Sequence, residues 1–513
     1  MTDESDDHTA ATTENGGDHT TLSRGILAAG AYAPHERISA ETVEGVWGQS
    51  STAGIEEKAV AAPDEDAVTM GYEAARRALA ATEEAIETPS DSLDRLAFAT
   101  TTPPTAEEDP TVQLAEMLGL SSARVQLYTG STRAGTQALL GALRESGYAL
   151  VVAADCPRGE ADTALEHAAG AGAAAFVVGP AAPAVLRASG RSTALAQGTR
   201  FRRTGDETIE SLGITTYERE VFVETILGAV EEIGDEEWDD REKWDTVAIQ
   251  APDGRLPYRA GRALGIDPSA IRDCLPVQEL GDLGAASVPV GLVEALDAET
   301  GVTEDEAEST TDDTTTVLAV SFGSGAGADA LVFNVRGVVP VQAGLGGDTQ
   351  LSYAEYLQRR GELTSGPPDG GGAYVSIPAW QRTLDQRYRL EGGRCPACSA
   401  LAFPPSGACP ECHELVEYES VQLQGTGEVE AVTVISRGGA PPEFAEQQAQ
   451  SGDFAVAIVA LDGPGDESVS TPAQVITADP TAVKVGDHVE TTIRRIYTQE
   501  GVTRYGFKVQ PVE

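Results

Sequence analysis

Two Cys-x-x-Cys pairs, Cys395-Pro396-Ala397-Cys398 and Cys409-Pro410-Glu411-Cys412, stand ten residues apart. Nothing else in the sequence constrains the fold so tightly. Each pair closes a tight turn stiffened by the proline after its first cysteine. Two such turns bring four thiolates to one point, the tetrahedral sulfur coordination that Zn²⁺ favours. Two disulfides or four buried thiols would use the same residues, but paired knuckles with a short spacer point to a metal. Cys395, Cys398, Cys409 and Cys412 leave no coordination position for a reacting water, so the expected zinc is structural.

The chain has 513 residues, enough for several domains, and carries 35 Lys+Arg against 82 Asp+Glu, a formal charge of −47. Nucleic-acid binding relies on neutralising phosphates with Lys and Arg, so such acidity argues against that partner. A cytoplasm of high salt, where screening removes most self-repulsion, accounts for it simply and predicts a halophilic protein. Four of the six cysteines are taken by the metal, which needs reduced thiols and hence a reducing compartment. No apolar run approaches the ~20 residues of a membrane span and no signal peptide is visible, so the sequence predicts a soluble, cytoplasmic protein.

Residues 1–21 are acidic, free of apolar runs, and expected to be a disordered tail. From residue 22 to 337 short apolar strands alternate with helical patterns: strands at 96–102, 125–129, 148–155 and 173–179, helices at 66–80, 111–118 and 136–145. A second set follows, with strands at 246–250, 316–322 and 330–335 and helices at 258–264 and 286–296. Two similar halves of this kind predict an α/β fold built by duplication. The acidic runs at 231–240 and 304–313 are expected to be solvated surface loops. Residues 338–376 form a connector with one helix at 353–360 and a PPDGGG breaker; 377–415 hold an amphipathic helix, expected over 377–390, and the ribbon. Five short β runs within 416–513 fit a small OB-type barrel.

Several phrases together resemble archaeal hydroxymethylglutaryl-CoA synthase, a thiolase-superfamily condensing enzyme: GAYAP at 30–34, GIEEKAVAAPDEDAVTM at 54–70, RAGTQAL at 133–139, APDGRLP at 251–257 and SFGSGAGADA at 321–330. The C-terminal part, with its RYRL, two CP-x-C knuckles and FPP, is similar to the acyl-CoA-associated zinc-ribbon/OB-fold family. The resemblance implies a duplicated thiolase-like fold, a CoA thioester as ligand, a homodimer, and thiolase-type enzymes as partners. That family acylates a cysteine at a helix start, where the helix N-terminus stabilises a thiolate. Where its pattern reads Ala-Cys-Lys-Ala-Gly-Thr, this chain has Ser131-Thr132-Arg133-Ala134-Gly135-Thr136. The match for the acid/base glutamate falls on Thr102, that for the histidine on Gln250, and the Gly-Asn-Thr-Tyr phrase becomes Gly281-Asp282-Leu283-Gly284.

A threonine hydroxyl is a poor nucleophile without an adjacent base, and the matching His and Glu are absent. Thr102, Thr132 and Gln250 therefore mark a degenerate site, and the leading expectation is a CoA-thioester-binding or scaffolding protein. The glycine-rich turn with Gly323, Ser324, Gly325 and Gly327 is the candidate ligand contact, through close backbone approach; a tight β-turn would use the same residues. A rival is an acyltransferase with relocated chemistry, using Cys156 or one of Glu107 and Glu108. Both glutamates read more simply as acidic surface, and Cys156 and Cys274 as packed thiols. A third alternative is a nucleic-acid-binding ribbon/OB protein, which seven Lys/Arg against eighteen Asp/Glu in residues 391–513 oppose.

The charge generates a prediction of its own. The melting temperature should climb as KCl is raised from about 0.1 M, because screening relieves self-repulsion. A melting temperature independent of salt would contradict the halophilic reading.

Overall fold

The structure, a computed structural model, describes residues 24–48, 53–85, 93–234, 244–300, 314–364, 375–436, 438–477 and 479–512. The expected tail, most of the acidic run at 231–240, the run at 304–313 and the PPDGGG breaker lie outside these residues.

The first half contains β1 (Arg24–Tyr32), α1 (Ala67–Ala85), β2 (Leu93–Ala99), β3 (Arg124–Tyr128), α2 (Ala134–Arg144), β4 (Tyr148–Asp155) and β5 (Gly172–Pro180). The second contains β6 (Ala184–Ala196), α3 (Thr215–Glu231), β7 (Thr246–Ile249), α4 (Ser287–Thr300), β8 (Thr315–Gly323) and β9 (Gly325–Val335). Their pairing schemes repeat. The first strand lies antiparallel to the last, β1 to β5 and β6 to β9. The last lies antiparallel to the strand before it, and that strand parallel to an earlier one, β4 to β2 and β8 to β7. This is the duplication that the sequence alternation predicts. The halves meet where β1 touches β6, giving one 10-stranded sheet in which β10 (Val341–Gly344), from the stretch expected as a connector, pairs parallel to β1.

Apart from β3, β6 and β10, the strands are buried on both faces and therefore read as apolar runs, not alternating ones. Neighbouring residues still sort by face. Val151, Phe176, Val317 and Phe333 pack into the core around α2 and α4. Leu96, Val152 and Val177 belong to the core under α1, and Leu318 and Val332 to that under α3. The layers thus run α1, sheet, α2 with α4, sheet, α3. Helix α1 lies so close to β1 that a Cβ on Gly30 would stand 2.4 Å from the Ala78 nitrogen, which reserves the position for glycine.

The two longest elements that escape the sequence reading are β6 and α3. β6 (AVLRASGRSTALA) is polar on one side and interrupted by register shifts against β9. In α3 the buried stripe of Phe222, Ile226 and Ala229 is masked by Val221, Val223 and Leu227 on its other faces. One expectation is corrected: residues 377–390 form two short helices, Ile377–Gln381 and Leu384–Arg389, not one. The chain breaks at Thr383, whose hydroxyl donates to the Trp380 carbonyl (2.8 Å), and Arg387 folds back over the Trp380 ring, 3.9 Å from its centroid.

The C-terminal strands β11 (Thr426–Ile435), β12 (Phe454–Asp462), β13 (Ser468–Val475), β14 (His488–Gln499) and β15 (Val502–Pro511) close into a barrel. It docks on the start of α1 and the loop before it through buried charge. Lys508 Nζ donates to Asp64 Oδ2 (2.7 Å) and Tyr505 OH to Asp66 Oδ2 (2.6 Å). Arg494 lies 3.1 Å from Glu73 Oε1 and 3.4 Å from Glu65 Oε1, and donates to Tyr32 OH (3.2 Å). Burial alone would push the Glu73 carboxyl up, but the Arg494, Arg77 and Arg76 guanidiniums outweigh it and hold Glu73 well below the usual range.

Removing Arg494 strands Glu65 and Glu73 without their central countercharge. Arg494→Met should cost about 3–5 kcal/mol of stability in denaturant titrations. A loss under ~1 kcal/mol, the size of a surface pair, would show that the contact does not hold the modules together.

Candidate functional site

Asp155, the last residue of β4, is fully buried and organises the site. Its Oδ1 accepts from Thr100 Oγ1 (2.8 Å), the Thr101 amide (2.6 Å), the Thr102 amide (3.0 Å) and Thr102 Oγ1 (2.9 Å). Its Oδ2 accepts from Thr101 Oγ1 (2.7 Å) and the Ala285 amide (2.7 Å). Six donors exceed the roughly four lone-pair positions of a carboxylate. Asp155 therefore fastens the end of β2 to the segment leading into α4. The sequence reading had Asp155 only as a strand end.

Thr132 lies just before α2, buried, with its hydroxyl donating to the Phe322 carbonyl (2.5 Å). The glycine turn between β8 and β9 is pressed onto this segment. A Cβ on Gly323 would stand 2.7 Å from Ser131 Oγ, and one on Gly327 2.0 Å from Arg133 Nη1. Gly325 sits at φ +129°, and Ser324 Oγ accepts from the Arg200 amide (3.2 Å). Gln250 follows β7; its Nε2 donates to the Gly284 carbonyl (3.1 Å), while its buried Oε1 has no hydrogen-bond partner among the described residues. The structure thus joins Thr132 to the glycine turn, and joins Thr102 and Gln250 through the neighbours Gly284 and Ala285.

A cleft of about 1040 Å³ opens between the α/β part and the barrel. Thr102 and Cys156 lie in it, together with Tyr356 and Arg360 from the helix Tyr353–Arg359 and Arg495 and Tyr497 from β14. Thr132, Gln250 and the glycine turn stand outside its lining. Cys156 Sγ is 3.8 Å from Thr102 Oγ1. Burial, with Asp66 and Asp155 adding to it, pushes the thiol up to about 12, so it is protonated at neutral pH. Cys274 is buried in the central core, and Glu107 and Glu108 are exposed. A second group absent from the sequence reading backs the cleft wall: buried Lys58 donates to Tyr356 OH (3.0 Å) and lies 3.4 Å from Glu166 Oε1. Burial drives Lys58 down to about 8 against the opposing pull of Glu166.

The four ribbon cysteines form one cluster, their sulfurs all within 4.8 Å of one another. The two measured separations, Cys395 to Cys412 at 3.8 Å and Cys398 to Cys409 at 3.6 Å, fit a tetrahedron. A metal–sulfur bond of about 2.3 Å gives sulfur–sulfur edges of about 3.8 Å. The knuckles are alike in backbone too, since Ser399 and His413, each following a second cysteine, take φ +66° and +62°. Among the described residues no helix is long and apolar enough to cross a membrane.

Residues 382–416 match the model of the ChsH2 rubredoxin-like zinc ribbon domain, and residues 420–494 that of the ChsH2 C-terminal OB-fold domain. The hydroxymethylglutaryl-CoA synthase of Methanothermobacter thermautotrophicus is 30% identical over 360 residues, covering 66% of this chain and 99% of the relative. That of Pyrococcus horikoshii is 30% identical over 344 residues, covering 66% and 92%. Among solved structures, MvaS in complex with 3-hydroxy-3-methylglutaryl coenzyme A superposes with a TM-score of 0.56 at 18% identity, over 69% of this chain and 97% of that one. The curacin-pathway HMG synthase in complex with apo donor-ACP gives 0.55 at 17%, over 71% and 94%. By the identity and near-complete coverage of these archaeal relatives, the chain belongs to the hydroxymethylglutaryl-CoA synthase family, carrying a zinc-ribbon/OB-fold module as its C-terminal part.

Proposed function

We propose that this chain binds CoA thioesters, or scaffolds thiolase-type enzymes, without performing the family's condensation. The observation that carries the reading is the state of the three matched positions. The Thr132 proton goes to a backbone carbonyl, the Thr102 proton to Asp155, and the Gln250 amide to Gly284. Acyl transfer needs a nucleophile, a base to activate it and an oxyanion site, and only backbone amides remain to supply the last. The cleft that reaches Thr102 is of a size for a large ligand, and a solved fold relative holds 3-hydroxy-3-methylglutaryl coenzyme A. The glycine turn, held against the Thr132 segment, is the proposed thioester contact. The edge strand β3 pairs with β2 on one side only, and an open edge is a template for a second copy, which supports a homodimer.

The rival reading, a relocated nucleophile, rests on Cys156 lining the cleft. Its protonated thiol opposes it. Intact mass after incubation with acetyl-CoA separates the two. The wild type should gain no acetyl group, Thr132→Cys alone should trap one slowly, and condensation should require Thr102→Glu and Gln250→His as well, because such groups act as a unit. A stable wild-type adduct would overturn the proposal, and its mapping to Cys156 would install the rival.

For the ribbon we propose a structural Zn²⁺. Metal analysis should find about one zinc per chain. Cys395→Ser or Cys409→Ser should release it and destabilise the C-terminal module while the α/β part stays folded. A metal-free ribbon with unchanged stability would refute the assignment.

A further inference from the structure

We infer that the barrel is part of the ligand site, and that Arg495 supplies its contact to an anionic group of a CoA-type ligand; the inference rests on the CoA-thioester reading above. In a regular strand, side chains alternate between faces, and Arg494 points inward to Glu65 and Glu73. Directly after it the register of β14 against β15 shifts between Arg495 and Tyr497. Such a bulge re-aims side chains, and here four consecutive residues, 495 to 498, line the cleft. The strand is fixed at this point by the Arg495 amide, which donates to the Asp64 carbonyl (2.9 Å).

Most charges of the lining are committed already, with the carboxylates Asp206, Glu443 and Glu446 lining it outside any ion pair among the described residues. Asp64 is paired with Lys508 and Glu65 with Arg494; Arg158 lies 3.4 Å from Glu207 and Arg359 2.7 Å from Glu36. Two guanidiniums of the lining have no carboxylate within about 3.5 Å among the described residues, one on each module. Arg202 gives one bond to the Thr101 carbonyl (2.8 Å), beside Thr102, and has no carboxylate partner among the described residues. Among the described residues the Arg495 side chain reaches only Asp66, at 3.9 Å, and it is 37% exposed. A chain of formal charge −47 repels anions over its open surface. Uncommitted guanidiniums on facing walls of one cleft are what a phosphate-bearing ligand needs there. The pantetheine arm carries no such charge, so the phosphate end of CoA is the group assigned to Arg495.

Calorimetric titration of the full chain with CoA, and separately with pantetheine, tests this. Arg495→Gln should weaken CoA about five-fold, a half-exposed charge-assisted bond, and leave pantetheine unchanged. Lys484→Gln, an exposed charge change on the barrel away from the cleft, should leave both unchanged. Should Arg495→Gln fail to fold, Arg495→Lys decides instead, with CoA about two-fold weaker as the fork geometry is lost. CoA affinity untouched by the Arg495 change, or lost equally for CoA and pantetheine, overturns the inference alone. A wild-type chain that binds no CoA overturns the reading beneath it as well.

Discussion

The barrel is set on the α/β part by one buried patch of acid, Asp64, Glu65, Asp66 and Glu73, meeting Lys508, Tyr505 and Arg494. Taking ions out of water costs several kcal/mol each, and pairing offsets that cost without greatly exceeding it. Such a contact selects its partner and orientation better than it supplies affinity. Joining the two modules in one chain provides the affinity by raising their effective concentration. Burial has a further consequence in this chain. Screening by salt weakens exposed pairs far more than buried ones, so the docking contact is less sensitive to ionic strength than the charges of the open surface.

The same patch shows what the sequence conceals. The ribbon was legible because spacing alone fixes its geometry, and the barrel because its strands alternate between core and solvent. The layered α/β core was legible because strands covered on both faces are continuously apolar. Charge carries no such periodicity. In a chain so acidic, Asp64 to Asp66 look like any other solvated carboxylates, and only the partners 430 or so residues away bury them. The lysines held a clue. Only four occur, at 58, 243, 484 and 508, and two of them, Lys58 and Lys508, are buried against carboxylates. Where Arg supplies nearly all the positive charge, a lysine that persists marks a place worth asking about.

Asp155 went unread for a related reason. Its role comes from three consecutive threonines folding around it and from an amide contributed by a segment 130 residues on. The three-threonine run offers hydroxyls and amides to one carboxylate, so this corner is a closed hydrogen-bonded knot. Replacing a reactive group by a polar one of smaller size leaves its donors and acceptors to be satisfied locally, and buried polar atoms nearly always are.

Gln250 is the exception. Thr102 and Thr132 each have one proton to give and give it within the protein. Gln250 gives an amide proton to Gly284 yet keeps a buried oxygen with no partner among the described residues. An orphaned buried acceptor costs about 1–3 kcal/mol, a penalty that a water or a ligand N–H would relieve. The three positions therefore differ in what they leave behind. Thr102 and Thr132 turn their hydroxyls inward, whereas Gln250 retains an acceptor with capacity to spare. A buried acceptor without a donor is a point at which the N–H of a bound molecule would gain a hydrogen bond.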